Sequence, residues 1–423
     1  MKEKAGGGGR MDEEVKRRQE RLRRQKIRER QVKRMRLRLA GMGILLLAVI
    51  AAILSLSIHR KRVKAEEAAA KAKEEQMEKE REEQLALEEE NTLRIVAVGD
   101  NIMHDQILEE ARQGDNSWDF NFLYTHMKDE IQKADLAAVN QETIFIGDED
   151  EVGGYPDFGS PFAVGDALVS TGFRVVEHAS NHAYDRGKQG ILDTAGFWKK
   201  NYPQVSVLGI HDEEGDSSIR VAEVKNFKVA MLNYTYGVNG DTLSKDTCLL
   251  DILEREKVAA KVKEAGEMGD LVVFFLHAGT EYSDEPDESV QEWVKFLGEQ
   301  GVDIIIGTHP HVLQGYEMRK EGDGHEMLVY YSLGNFASLQ KDIKGLLGGM
   351  ARITVKKDPP SGKVWIEDYG LTPLVMHYDE PRKAMGVYKL EDYTEELAKE
   401  HGIHGETDDE FTVKSLKKMA GVQ

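Results

Sequence analysis

His309 and His311 stand two residues apart around Pro310, directly after the apolar run Ile304-Ile305-Ile306 and Gly307. Two imidazoles at the carboxyl end of a buried strand suit a divalent metal, since neutral histidine is the commonest metal ligand in proteins. The expected geometry is a strand broken at Gly307, with tight backbone approach there, then an extended segment whose side chains two apart point the same way. Pro310 would fix the backbone between them. A pair of loop histidines with ordinary hydrogen bonds has the same local sequence, so the rest of the chain must decide.

Other polar residues close predicted strands in the same manner. Asp100 follows Leu93–Val98, with His104 four residues on; capping a helix is its alternative role. Glu142, in Asn140-Gln-Glu-Thr143, follows Leu136–Val139 and is costly to bury unless something cationic balances it. Asn181 and His182 lie beyond Phe173–Val176, and Asp185 to Gly187 open the next helix. His277 ends Leu271–Leu276, with Glu281 and Tyr282 just after it. Asn335 follows Met327–Tyr331. Ligands of open α/β sheets bind at the carboxyl ends of strands. Collected there, these residues supply Asp, Glu, Asn and His but no thiolate, a donor set for Zn, Mn, Fe or Mg.

The elements that must position them alternate. Besides the strands above and Val302–Ile306, β-rich runs occur at Val205–Leu208 and Lys228–Asn233, with late strands near 362–374. Helical patterns fall at Ile107–Gln113, Asn121–Lys133, Lys188–Asn201, Leu253–Gly266 and Glu288–Gln300, and terminal helices at Asp392–Glu400 and Glu410–Met419. Alternation of this kind predicts an α/β fold, a sheet with helices packed outside it.

Composition divides the chain of 423 residues further. Residues 1–38 are a basic tail, flexible around Gly6–Gly9 and read as cytoplasmic. Leu39–Ile58 runs without a charge for the length that crosses a bilayer as a helix. The longer basic block is N-terminal, so the positive-inside rule places the N-terminus in the cytoplasm and the bulk outside the cell membrane, as a single-pass protein. A cleaved signal peptide is disfavoured because the apolar stretch is long and no Ala-x-Ala-like site follows closely. Residues 59–91 form a charged linker, whose Val63–Glu90 segment is either a helical stalk or a disordered spacer. The net charge of −19 argues against nucleic acid as a partner. The lone Cys248 excludes an intrachain disulfide and a thiolate zinc cluster.

The succession Gly99-Asp100…His104, Asn140-x-Glu142, Ser180-Asn181-His182…Asp185-x-Gly187, His277-Ala-Gly…Glu281-Tyr282, Gly307-x-His309-Pro-His311 and Tyr331-Ser-Leu-Gly-Asn-Phe336 resembles the CapA family. These are capsule-synthesis proteins of poly-γ-glutamate production, within the calcineurin-like metallophosphoesterase superfamily. The resemblance covers about residues 92–390, leaving 391–423 as a C-terminal helical extension. It implies a metallophosphoesterase-like α/β/β/α sandwich, two sheets face to face with helices outside, and an N-terminal membrane anchor. By motif, Asp100 and His311 would hold one divalent ion, Asn181, His277 and His309 another, with Glu142 as the bridge. His182 would donate a proton to the leaving group. His104, Glu281, Tyr282 and Asn335 would stand beside the substrate or behind the ligands, while Asp185 and Gly187 read as structural and Asp148–Glu151 as a solvated turn. The chain departs from the superfamily pattern twice: Asp100 and His104 are four residues apart rather than two, and the bridge is Glu rather than Asp. Two functions follow. One is a metal-dependent hydrolase or transferase acting on a phosphoester or an anionic glutamyl polymer, in capsule synthesis or as a general cell-envelope phosphoesterase. The other is a non-catalytic assembly factor for a membrane polymer-synthase complex.

Overall fold

The computed structural model describes residues 9–213, 218–240, 247–322, 324–380 and 382–422. The chain separates into Met1–Leu85 and Ala86–Gln423. In the first unit the described residues are helical, part of helix α1 (Gly9–Glu90). The basic run from Gly9 to Arg38, expected as a flexible tail, is therefore helix: it is a nearly unbroken series of Arg, Lys, Gln and Glu, all good helix formers. Gly6 to Gly8 lie outside the described residues. The helix is long and apolar enough to cross a membrane.

The strands of the second unit are β1 (Thr92–Asn101), β2 (Leu136–Gln141), β3 (Phe145–Ile146), β4 (Ser160–Pro161), β5 (Val175–Glu177), β6 (Ser206–Leu208), β7 (Arg220–Val224) and β8 (Phe227–Thr235). They continue with β9 (Leu271–His277), β10 (Ile304–Thr308), β11 (Tyr316–Lys320), β12 (Glu326–Tyr330), β13 (Asn335–Ala337), β14 (Leu347–Lys357), β15 (Val364–His377) and β16 (Gly386–Lys389). One sheet has the order β16-β15-β14-β1-β2-β5-β6, with β13 paired to β1; the other is β11-β12-β10-β9-β8-β7. Leu93, Ile95 and Ala97 of the first sheet pack with Val229, Val273 and Ile304 of the second in one buried cluster, so the sheets face each other. On the outer face of the second sheet lie α7 (Arg255–Met268) and α8 (Glu288–Glu299), which bury Val258, Val262, Val290 and Val294. The one-sided spacing of these valines is what commits each helix to that face. Asp287 caps α8, accepting the Val290 N–H at 2.9 Å. The outer face of the first sheet carries Ile107, Leu123, Leu168 and Trp198 from its own helices, and Tyr393, Ile403 and Leu416 from the C-terminal residues. The architecture is α/β/β/α, as expected.

Two local readings need correction. Asn121–Lys133 is two short helices, Asn121–Tyr124 and Lys128–Lys133, because the turn between them keeps Met127 buried beside Tyr124 and Ile131. β10 is not broken at Gly307 but runs on to Thr308, which pairs with His277. The glycine is needed there for close approach: a Cβ would stand 2.0 Å from the Tyr331 carbonyl oxygen.

The chain enters the second unit through a cluster of charges. Lys225 Nζ contacts Glu89 at 2.7 Å, Asp135 at 2.8 Å and the Thr92 carbonyl at 2.9 Å, and Arg94 meets Glu89 at 2.6 Å. These cations hold the Glu89 carboxyl down at about 2.

Several histidines are buried as neutral rings. His178 accepts the Trp198 indole N–H at 2.9 Å, and burial holds it at about 3; burial likewise holds His377 at about 4 and His401 at about 3. All three titrate near 6.5 when unfolded. Above that pH their contribution is constant. As pH falls from 6.5 toward 4, the unfolded chain takes up protons that the fold refuses, and stability drops by up to about 1.4 kcal/mol per pH unit for a fully buried ring. Thermal unfolding at stepped pH should show this loss, with a shallower slope for His178→Gln. Equal slopes would remove His178 from the account.

Candidate metal centre

The site lies where β1, β2, β9 and β10 end. Along β1, Val96 and Val98 face the helices while Ile95 and Ala97 face the other sheet. Simple alternation would turn Asp100 toward the helices. Instead the register shifts between Val98 and Asp100, a bulge that swings the carboxylate between the sheets. Gly99 makes the bulge possible, since a Cβ there would lie 1.8 Å from the Gly334 carbonyl oxygen.

Asp100 then gathers its neighbours. Its Oδ2 is 3.1 Å from His311 Nδ1, and its Oδ1 accepts the Asn140 amide at 2.7 Å. His277 Nε2 is 2.9 Å from Asn181 Oδ1, and its Nδ1 is 3.0 Å from Thr308 Oγ1. His311 Nε2 approaches Glu142 Oε1 to 3.8 Å. Ligand-type atoms of Glu142, His309 and His311 lie within 4.8 Å of one another, as do those of Asp100, Glu142 and His277. Glu142 is common to both groups. The partition differs from the one implied by the resemblance, which put His309 with His277 and His311 with Asp100, although Asp100 and His311 do touch.

The convergence of His309 and His311 does not come from an extended segment. Their φ angles are +97° and +59°, so the backbone on both sides of Pro310 is left-handed, a conformation uncommon for residues other than glycine. Asn335 braces this turn, donating to the His311 carbonyl at 3.2 Å and to that of Gly345 at 2.7 Å.

His182 lies beside the group, its Nδ1 2.6 Å from Asp185 Oδ2. Asp185, structural by its place in the sequence, thus meets the imidazole, and its spacing of three residues from His182 is the available signal. The same oxygen accepts the Phe158 N–H at 2.9 Å, and the Phe158 ring meets His182 edge-on at 4.8 Å. Asn140, Phe158 and Asn239, whose side-chain oxygen accepts from the Asn181 amide at 3.4 Å, have no assigned role in the sequence. His104 is not in either ligand group. Its Nδ1 accepts the Leu339 N–H at 3.3 Å, and burial, then the charge of His311, lowers it to about 4. Glu281 and Tyr282 are exposed at the rim. Asp148 caps a short 3-10 turn at the surface, as a solvated turn should.

Whether the residues fit a metal is decided by what they leave unsatisfied. Both oxygens of Glu142 and His309 Nδ1 are buried without a hydrogen-bond partner among the described residues. Bare carboxylate oxygens are too costly to keep in a protein interior unless a cation meets them. The oxygen and nitrogen donors fit a divalent ion of borderline or hard character. Burial raises Glu142 well above its ordinary value; for His311 burial is outweighed by Glu142 and Asp100, which lift it to about 9. Without an ion, protons therefore stand in for positive charge between these two groups.

Ion binding must expel those protons, so apparent affinity should rise with pH up to about 9. Calorimetric titration with Mn²⁺ at pH 7 in buffers of different ionisation enthalpy should show net proton release, and Glu142→Gln should abolish most binding. Binding without proton release would contradict this account of the site.

The family model described as "Bacterial capsule synthesis protein PGA_cap" matches residues 94–340. The chain is 28% identical over 215 residues to the PGA biosynthesis protein CapA of Bacillus subtilis, covering 51% of this chain and 54% of the relative. It is 27% identical over 259 residues to the capsule biosynthesis protein CapA of Bacillus anthracis, covering 59% and 60%. The matched segment thus spans little more than half the length of either relative. Among solved structures, it is similar to the calcineurin-like phosphoesterase YfkN of Bacillus subtilis (TM-score 0.38, 14% identity, 78% of this chain and 96% of that one). It is also similar to a putative 5'-nucleotidase of Staphylococcus aureus (TM-score 0.42, 18% identity, 67% and 54%).

Proposed function

This chain belongs to the bacterial capsule synthesis protein family PGA_cap, and on that premise we propose that it is a membrane-anchored protein of capsule polymer synthesis whose folded unit is an extracytoplasmic metal-dependent hydrolase. Leu39–Ile58 would cross the membrane, with the basic residues before it in the cytoplasm and Val63–Glu90 as the stalk outside. The observation that carries the hydrolase reading is Glu142, whose buried oxygens lack hydrogen-bond partners among the described residues and which belongs to both ligand groups.

Asp100, Glu142, Asn181, His277, His309 and His311 would hold one or two divalent ions. Bound there, such ions would polarise a substrate oxygen and lower the pKa of a water molecule. The chain's own contribution to proton transfer is His182. Asp185 at Nδ1 fixes the tautomer and orients the ring, which leaves Nε2 to face the leaving group as the proton donor. Phe158 limits the ring's rotation and shields that side from water. The substrate is a phosphoester, or an ester or amide of a glutamyl polymer. The His182–Asp185 pair favours hydrolysis over a purely structural role in polymer assembly, which would not require an oriented imidazole.

The full chain, purified in detergent and loaded with Mn²⁺, is to be assayed on bis-p-nitrophenyl phosphate and on poly-γ-glutamate. His182→Ala should lower kcat by about 10²- to 10⁴-fold with metal content unchanged, and Asp185→Asn should have a smaller effect in the same direction. Full capsule formation by a His182→Ala strain that still needs its membrane helix would instead identify an assembly factor.

A further inference from the structure

One side-chain amide touches both a ligand of the centre and its proton donor, yet has no part in the chemistry above. Asn239 lies just beyond the end of β8, on a segment held by hydrogen bonds along its length. Tyr236 donates its N–H to the His277 carbonyl at 3.0 Å, and Thr235 Oγ1 donates to the Gly237 carbonyl at 2.9 Å. The Asn239 N–H itself reaches the Asn181 carbonyl at 2.8 Å. Val238 packs against the buried cluster that contains Ala179 and Ala183, which flank Asn181 and His182 in the chain. The segment is thus tied to the strand ends that carry His277 and Asn181, while Asn239 is exposed.

The Asn239 side chain works in two directions. Its Oδ1 accepts the Asn181 amide at 3.4 Å, which turns Asn181 Oδ1 the other way, to within 2.9 Å of His277 Nε2. Its Nδ2 stands 3.4 Å from both ring nitrogens of His182. A donor at equal distance from the two lies over the face of the ring, out of line with the in-plane lone pair of either. An amide has two N–H donors, and among the described residues these have no better-placed acceptor. Asn181 borders the ion and His182 borders the leaving group, so the group under attack lies between them. An exposed amide that touches both faces that same space.

We propose that Asn239 is a substrate-binding residue, whose Nδ2 donates to a non-bridging oxygen of a phosphoryl group seated between the metal centre and His182. An anionic oxygen is a far better acceptor than the face of an imidazole, and a hydrogen bond to it is about twice as strong as a neutral one. Substrate therefore draws Nδ2 away from the ring, while Oδ1 keeps Asn181 turned toward His277. The proposal rests on the reading of the centre as a hydrolase of phosphoesters, and its test is arranged so that the two can fail separately.

The full chain in detergent, saturated with Mn²⁺, is titrated calorimetrically with inorganic phosphate as wild type, Asn239→Ala and Asn239→Asp. Asn239→Ala should weaken phosphate binding about 10- to 100-fold, the effect of losing a hydrogen bond to a charged oxygen. Its KM for bis-p-nitrophenyl phosphate should rise in step. Asn239→Asp keeps the oxygen for Asn181 but loses the donor, so it should bind Mn²⁺ as the wild type does and still lose phosphate. Equal phosphate affinity of wild type and Asn239→Ala at saturating Mn²⁺ overturns the proposal. A greater demand of that variant for Mn²⁺ does not rescue it, because Asn239 would then serve only to hold Asn181. If phosphate binding depends on Asn239 but no ester is hydrolysed, the donor stands and the hydrolase reading falls. If the Mn²⁺-loaded wild type binds no phosphate, both fall.

Discussion

A buried carboxylate that no donor among the described residues satisfies organises this molecule. Glu142 is buried at the end of β2, and its nearest polar neighbours are another acid, Asp100, and three histidines. Hydrogen bonding does not settle that arrangement, because among the described residues the carboxylate oxygens have no hydrogen-bond partner. Only positive charge can, from protons on the cluster or from bound ions. The strands that meet here are otherwise apolar, and their hydrophobic contacts carry the stability that tolerates such a cluster.

The backbone at the same place is strained rather than relaxed. His309, His311 and Tyr282 all lie in the left-handed region, at a cost of roughly 1–2 kcal/mol each for an L-residue. Hydrogen bonds from Asn335 to His311, and from Tyr282 to Pro310, hold the turn in this form. Strain kept in position by surrounding bonds is a means of presetting side chains before a ligand arrives.

Much of this was legible in the sequence, and for a physical reason. Parallel strands buried on both faces read as continuous apolar runs, so β1, β2, β5, β9 and β10 were recognisable, and the polar residues ending them were conspicuous. β14 escaped notice because its Gly348-Gly349 start and its Arg352, Lys356 and Lys357 dilute the apolar signal. Yet Ala351, Ile353 and Val355 alternate inward along it. The direction of Asp100 also lay beyond the sequence, since alternation alone gives the wrong face and a carbonyl from Gly334, far away in the chain, sets the bulge. The approach of His309 to His311 was anticipated for a mistaken reason: an extended segment was expected where the backbone turns left-handed. Asp185 shows the limit of judging residues singly. It looks like the start of a helix until the histidine three places earlier is seen to turn back onto it.

β1 has one more consequence. The chain enters β1 at Thr92, whose carbonyl accepts from Lys225, and Asp100 is near the opposite end of that same strand, roughly 26 Å away at the usual rise per residue. The charged cluster around Lys225 and the carboxylate of Asp100 therefore lie toward opposite ends of β1. The cations around Glu89 and the acids that need a cation thus share one strand yet stay a full strand length apart, so neither cluster can neutralise the other.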